Sequence, residues 1–264
     1  MKPYLSIILP SIRPERLVGL YESILKSTKR SFELVICGPY ALPDELQELK
    51  NVKYIKDFGS PTRASQLAAN FCEGEMVTWI ADDALLIEGA LDACLDEFEG
   101  MWLEGERPKA GGNVLVAKYY EGQMGSLDRE TLHPDKYFKV CGSPADTPSV
   151  SEDWWLFNIA FMKLDHFREL GGWDCAFEGT WCAHTDLAIR AQIIGCTIKM
   201  AQIPLMRCDH MPGGSGDHMP IFECQPKYDE PLLRERYWSN ASSRLIKLDN
   251  WRNSPPIWLR RFNG

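Results

Sequence analysis

No run in the 264-residue chain reaches the roughly 18–20 apolar residues of a membrane-spanning helix. The N-terminal stretch MKPYLSIILPSIRPER holds one short apolar run that stops at Pro10. It lacks the longer apolar segment and small-residue cleavage site of a secretory leader, and it suits a buried strand instead. Basic charge is scarce: 29 Lys and Arg stand against 37 Asp and Glu, a net of −8. That balance argues against a broad nucleic-acid-binding surface. The nine cysteines contain no CxxC pair, so zinc-ribbon and thioredoxin-type sites lose support. Their odd number and scatter fit small reduced core residues in a cytoplasmic protein. There is no internal repeat, no low-complexity tract and no GKS or GKT of a phosphate-binding P-loop. With 45% hydrophobic and 25% charged residues, the composition is that of a globular chain. A chain of this length buries roughly three quarters of its unfolded surface and needs no disulfide or structural metal.

The first 100 residues alternate between strand and helix patterns. Tyr4–Leu9, Glu33–Cys37, Val52–Ile55 and Met76–Ile80 read as buried strands. Glu15–Lys26, Pro43–Lys50, Pro61–Cys72 and Glu88–Phe98 read as the intervening helices, the third opening with proline at its first turn. This order predicts an α/β fold with a mainly parallel, Rossmann-like central sheet and helices on both faces. In such sheets ligands sit beyond the carboxyl ends of strands. Two polar clusters fall there, Ser11–Arg16 after the first strand and Asp82-Asp83 after the fourth. The second half is less regular: an excursion over 117–150, an aromatic stretch Glu152–Met162, a turn at Leu170–Asp174, a helix Thr185–Ile194 stopped by Gly195, and a strand Thr197–Ile203. Residues 209–220 (DHMPGGSGDHMP) read as a mobile loop, within which Pro212–Gly216 suits a lid closing over a ligand. The chain divides into residues 1–226, with halves 1–100 and 101–226, and a helical tail 227–264. The tail interleaves arginines with Trp238, Trp251 and Trp258 and is expected to pack on its own domain; docking on a second copy or a membrane surface is the alternative.

Asp82 and Asp83 make a dense negative site at a strand end. Their repulsion calls for a cation or a proton, and hard oxygen donors suit Mg²⁺ or Mn²⁺. The plainer reading is a helix cap accepting backbone N–H bonds. In the second half, Arg190 stands one helical turn beyond Asp186 and reads as its ion-pair partner. Trp154, Trp155, Trp173 and Trp181 offer flat faces to a ligand or simply fill a core. Asp153 suits a ligand hydroxyl or a turn cap.

Taken in order, four segments resemble the family 2 glycosyltransferases of the GT-A fold. They are Ser6–Leu17 (SIILPSIRPERL), Glu33–Gly38 (ELVICG), Ser60–Leu86 with its arginine and Ala-Asp-Asp-Ala, and Glu169–Gly195 (ELGGWDCAFEGTWCAHTDLAIRAQIIG). The resemblance implies transfer of a sugar from a nucleotide diphosphate donor, UDP-linked, to an acceptor hydroxyl, with inversion. It implies that Pro10, Ser11 and Arg13 line the base and ribose pocket, that Arg63 approaches the base or diphosphate, and that Asp82 contacts the ribose or a metal-bound water. Asp83 would hold Mn²⁺ or Mg²⁺, joined by His210 or, failing that, His218. The family usually shows Glu-Asp-x-Asp-Leu on the acceptor side; here Ala183-His184-Thr185-Asp186-Leu187 stands instead. His184 then occupies the place of the usual catalytic aspartate. A histidine can serve as general base; Asp186 and Glu178 remain alternatives. Two rivals stay open. A nucleotidyltransferase usually carries glycine just after the first strand, and PSIRPER has none. A non-catalytic nucleotide- or carbohydrate-binding module would explain the missing acidic pair.

Overall fold

A computed structural model of the chain describes residues 2–101, 112–122, 131–132, 139–140, 154–155, 158–209, 223–237 and 245–253. Its first half is a run of parallel strands joined by helices. Strand β1 (Leu5–Pro10) pairs in parallel with β2 (Phe32–Gly38) on one side and β4 (Met76–Trp79) on the other, and β2 pairs in parallel with β3 (Val52–Lys56). The connections are a 3-10 turn Pro14–Arg16 leading into α1 (Leu17–Ser27), the short α2 (Asp44–Gln47) and α3 (Pro61–Ala69).

The second half mixes strand directions. After β5 (Ala84–Leu86) and α4 (Ala90–Gly100) come β6 (Asn113–Gly122), the two-residue strands β7 (Thr131–Leu132), β8 (Lys139–Val140) and β9 (Trp154–Trp155), then β10 (Ala160–Lys163), α5 (Leu164–Leu170), α6 (Thr180–Ile193) and β11 (Thr197–Asp209). The sheet runs β3-β2-β1-β4-β10-β6-β11-β5, with β7 added beside β6; β8 and β9 pair separately. β10 is antiparallel to both β4 and β6, and β5 is antiparallel to β11, whereas β6 and β11 are parallel. The expected α/β architecture is therefore present, with its parallel character concentrated in the first four strands.

Alternation along buried strands sends side chains to two separate cores. Leu5, Ile7, Leu9, Leu34 and Ile36 meet Leu17, Leu20 and Ile24 of α1 and Leu91, Leu95 and Phe98 of α4. Ile8, Val35 and Cys37 meet Ala64, Leu67 and Ala68 of α3, Phe167 of α5 and Leu187 of α6 on the opposite face. All eight described cysteines are free thiols, and seven of them are buried. No helix among the described residues is long and apolar enough to cross a membrane.

α6 begins at Thr180, one turn and more ahead of the Thr185 start that periodicity suggests. Every residue from Cys182 to Ala191 is buried, so the helix has no polar face to mark its period. Its N-terminus is held from a distance: the carboxylate of Asp229 accepts the N–H groups of Glu178 (2.9 Å) and Gly179 (2.6 Å). Asp229 ends a π-helical turn, Gln225–Asp229, that runs into α7 (Glu230–Tyr237). A further 3-10 segment, Leu248–Asn253, lies against α3 through Gln66 and Asn70, whose amides donate to the Leu248 carbonyl. The described parts of the tail thus pack on their own chain. Gly171, at φ +82°, closes α5; a Cβ there would stand 1.9 Å from the Ile246 carbonyl oxygen, so glycine is what lets the tail approach.

Candidate functional site

The carboxyl ends of β1, β2 and β4 meet at one edge of the sheet. β4 leads into Asp82 and Asp83, both buried. One oxygen of Asp82 accepts the Ser11 hydroxyl (3.0 Å) and the N–H groups of Ile12 (2.9 Å) and Arg13 (3.1 Å). Its other oxygen pairs with the Arg13 guanidinium. Asp82 thereby shapes the loop that leaves β1 at Pro10. Gly38, at the end of β2, supports the same loop: a Cβ there would sit 1.9 Å from the Ser11 carbonyl oxygen.

The backbone of Asp83 is tied to the end of β11. Asp209 donates its N–H to the Asp83 carbonyl (2.8 Å), and its carboxylate pairs with Arg16 at 3.1 Å. The expected donor-side residues Pro10, Ser11, Arg13, Asp82 and Asp83 therefore come together, and Arg16 and Asp209 join them without having been singled out in the sequence. Only the polar run Ser11–Arg16 hinted at the former. His210 follows Asp209 directly, but it, His218 and the Pro212–Gly216 segment lie outside the described residues.

Arg63 stands differently from expectation. Its guanidinium forks onto Asp57, with contacts of 2.9 Å from both Nε and a terminal nitrogen, and donates to the Trp251 carbonyl at 2.5 Å. It also lies over the Trp251 ring at 5.0 Å. Its fork is thus engaged by Asp57, and its other terminal nitrogen by the tail segment.

On the acceptor side, His184 and Asp186 are interior groups. The His184 ring lies 5.7 Å from the Trp79 ring and 5.8 Å from that of Trp173, with Nδ1 3.4 Å from the Asn158 side-chain oxygen. Burial lowers its pKa to about 3, so the imidazole is neutral. Asp186 is 0% exposed. One of its oxygens accepts Arg190 Nε at 2.8 Å; the other accepts the Tyr237 hydroxyl at 2.6 Å and faces Arg236 at 3.5 Å. Arg190 is indeed its partner, and it also donates to the carbonyls of Leu170 and Gly172. Arg236 bridges onward to Asp174 at 2.7 Å. His184 is therefore packed between aromatic rings, and the Asp186 carboxylate is engaged in locking α6 to α7.

Glu178 is the exception. It is 1% exposed, yet neither carboxyl oxygen has a hydrogen-bond partner among the described residues. Its backbone carbonyl accepts the Thr62 hydroxyl of α3 at 3.1 Å. Burial, and then the nearby Asp229 carboxylate, push its pKa up to about 8. Burial raises Asp229 to about 6 against the opposing pull of the two N–H bonds it accepts. Trp173 packs edge-on to Trp79 and Phe167, both at 5.0 Å, and is core; Trp181 is half-buried. Trp154 and Trp155 form β9, and Asp153 lies outside the described residues.

For a divalent cation, the described residues gather no group of three possible His, Cys, Asp or Glu ligands. They offer Asp83 at the strand end. That suits an ion held by one or two carboxylates, with substrate phosphates and water supplying the rest, and not a complete protein cage.

No family model matches the chain, and no curated protein matches it in sequence. In architecture it resembles glycosyltransferase structures. Specifically, it is similar to solved structures of S. aureus TarS, residues 1–349. The uncomplexed structure superposes with a TM-score of 0.54 at 13% identity over 79% of this chain. The structure titled as a complex with UDP gives 0.53 at 16% over 79%, and the one titled as a complex with UDP-GlcNAc gives 0.55 at 17% over 83%. The chain spans about 60% of the length of these structures: 60%, 60% and 61%.

Proposed function

We propose that the protein is a glycosyltransferase of the family 2, GT-A type, moving a sugar from a UDP-linked donor to an acceptor hydroxyl with inversion. One observation carries this reading: at the carboxyl ends of β1 and β4, Asp82 locks the Ser11–Arg13 loop beside Asp83, in a fold similar to that of structures titled with UDP and UDP-GlcNAc. Strand ends of a parallel sheet are where such folds place a nucleotide. In this reading Pro10, Ser11 and Arg13 meet the base and ribose. The Arg13 guanidinium, already oriented by Asp82, presents a preset donor fork to the ligand. Asp83, with His210 beyond the described residues, would hold Mn²⁺ or Mg²⁺. Such an ion offsets charge on a departing diphosphate. The preset loop lets the site bind without first ordering itself, which lowers the entropic cost of association.

The test is calorimetry on the full chain with UDP and GDP, with and without Mn²⁺, together with UDP release from UDP-GlcNAc and other UDP-sugars. Binding of UDP that strengthens with Mn²⁺ and weakens at least tenfold in Asp83→Ala is the expected result. Absence of nucleotide binding overturns the reading. The occupied state of His184 and Asp186 favours one alternative, a non-catalytic nucleotide-binding module. UDP binding with no UDP release from any UDP-sugar would decide for it.

A further inference from the structure

We propose that Glu178 is the proton acceptor of the transfer reaction and that Asp229, reaching in from the C-terminal extension, is its positioning partner; this rests on the glycosyltransferase reading above. Three observations support it. The first is place. Thr62 stands in the first turn of α3, which follows β3, so the Thr62–Glu178 hydrogen bond of 3.1 Å puts Glu178 at the carboxyl edge of the parallel sheet. His184, one and a half turns further along α6, stands against Trp79 at the end of β4. Glu178 thus shares an edge with Ser11, Arg13 and Asp83.

The second is its unsatisfied state. A buried carboxyl normally finds a partner, because desolvating it without one is costly. Both oxygens of Glu178 lack one among the described residues. Of the nearby acids, Asp186 has both oxygens engaged and Asp174 is paired with Arg236. The third is the neighbourhood. Asp229 is fixed by the two N–H groups at the start of α6, so its charge is held close to Glu178 without bonding it. The other titratable groups facing Glu178 are Cys175 in the preceding turn and Cys224 before the π-helical turn; burial keeps both thiols protonated. Described cations are spent elsewhere, Arg63 on Asp57 and Arg236 on Asp174 and Asp186. A carboxyl with no cation partner and one nearby anion is a stronger base than an exposed one, and proton transfer by such a group is commonly worth about 10²–10⁴-fold.

The step balances as follows. The acceptor O–H proton passes to a Glu178 carboxylate oxygen, and the acceptor oxygen forms a bond to the anomeric carbon. The bond from that carbon to the diphosphate breaks, and its electron pair leaves on the diphosphate oxygen. With water as acceptor the products are free sugar and UDP.

The experiment measures UDP release from UDP-sugars, with water as acceptor, between pH 5.5 and 9.5, alongside UDP binding by calorimetry. The proteins are the unaltered chain, Glu178→Gln and Asp229→Asn, each checked for folding by thermal unfolding. Expected are a rate that rises with pH with a midpoint near 8 in the unaltered protein, a loss of 100-fold or more in Glu178→Gln with UDP affinity kept within threefold, and a midpoint displaced to lower pH in Asp229→Asn. UDP binding together with a Glu178→Gln rate within threefold of the unaltered protein, or an unmoved midpoint in Asp229→Asn, overturns this inference alone. Absence of UDP binding overturns the donor reading and this inference with it.

Discussion

Replacing Glu178 by glutamine should make the protein's stability less sensitive to alkaline pH. The carboxyl is raised from 4.5 to about 8, first by burial and then by Asp229. A raised carboxyl binds its proton more tightly in the folded state than in the unfolded state. Its contribution is therefore intact below about pH 4.5, is lost as pH climbs towards 8, and stays lost above that. A shift of that size corresponds to roughly 4–5 kcal/mol at pH 9. Part of the cost belongs to the pair, because Asp229, raised to about 6, titrates in the same field. That leaves about 2–4 kcal/mol for Glu178 itself.

Glutamine keeps the shape and cannot ionise. Its unpartnered amide costs about 1–3 kcal/mol at every pH, much as the protonated acid does. The difference between two pH values cancels that constant. Urea unfolding followed by tryptophan fluorescence at pH 5, 7 and 9 provides the measurement, with equal m-values as the check that the unfolded states match. The variant should gain on the unaltered protein by about 2–4 kcal/mol between pH 5 and pH 9. An equal gap at pH 5 and pH 9 would refute the claim that burial raises this carboxyl, which has no partner among the described residues.

Asp186→Asn leaves the buried Arg190 guanidinium without its charge partner and should destabilise by about 3–5 kcal/mol in urea unfolding, with UDP affinity of the folded protein unchanged. Asp82→Asn removes the charge from contacts to Ser11, Ile12 and Arg13. At about 1.5–3 kcal/mol for hydrogen bonds to a charged group, unfolding free energy should fall by that much in urea, and UDP affinity by calorimetry should fall with it as the loop loses its preset shape. Gly171→Ala combines a left-handed backbone with a Cβ 1.9 Å from the Ile246 carbonyl. It should cost about 1–2 kcal/mol for the backbone alone, and it should release the Leu248–Asn253 segment to limited proteolysis before the rest of the chain is cut.

The first half of the fold was legible because its strands are short apolar runs buried on both faces and its helices keep one apolar stripe. α6 was misjudged at its start for the opposite reason. From Cys182 to Ala191 it is buried all round, and the group that fixes its N-terminus, Asp229, comes from 50 residues further along the chain. Arg63 shows the same limit. Its arginine was visible in a familiar setting, but its partners are Asp57, close by in sequence, and the Trp251 carbonyl, 188 positions away. A side chain with a delocalised fork goes to whichever planar acceptor is held still nearby, and only the folded tail decides that.

The adjacent pair Asp82-Asp83 makes the point more sharply. Two neighbouring carboxylates look interchangeable as a negative site, yet the structure divides their work. Asp82 has its oxygens taken by the loop that follows β1, 69 to 71 positions earlier. The Asp83 carbonyl meets the end of β11 at Asp209. On the acceptor side the division runs the other way. Asp186, the first alternative to His184 in the sequence, is paired with Arg190 and bonded by Tyr237; Glu178, the second, keeps both oxygens unengaged among the described residues. Residue type places a carboxylate among the candidates. Whether it holds a loop, locks a helix or waits for a proton depends on which donors the fold brings to it.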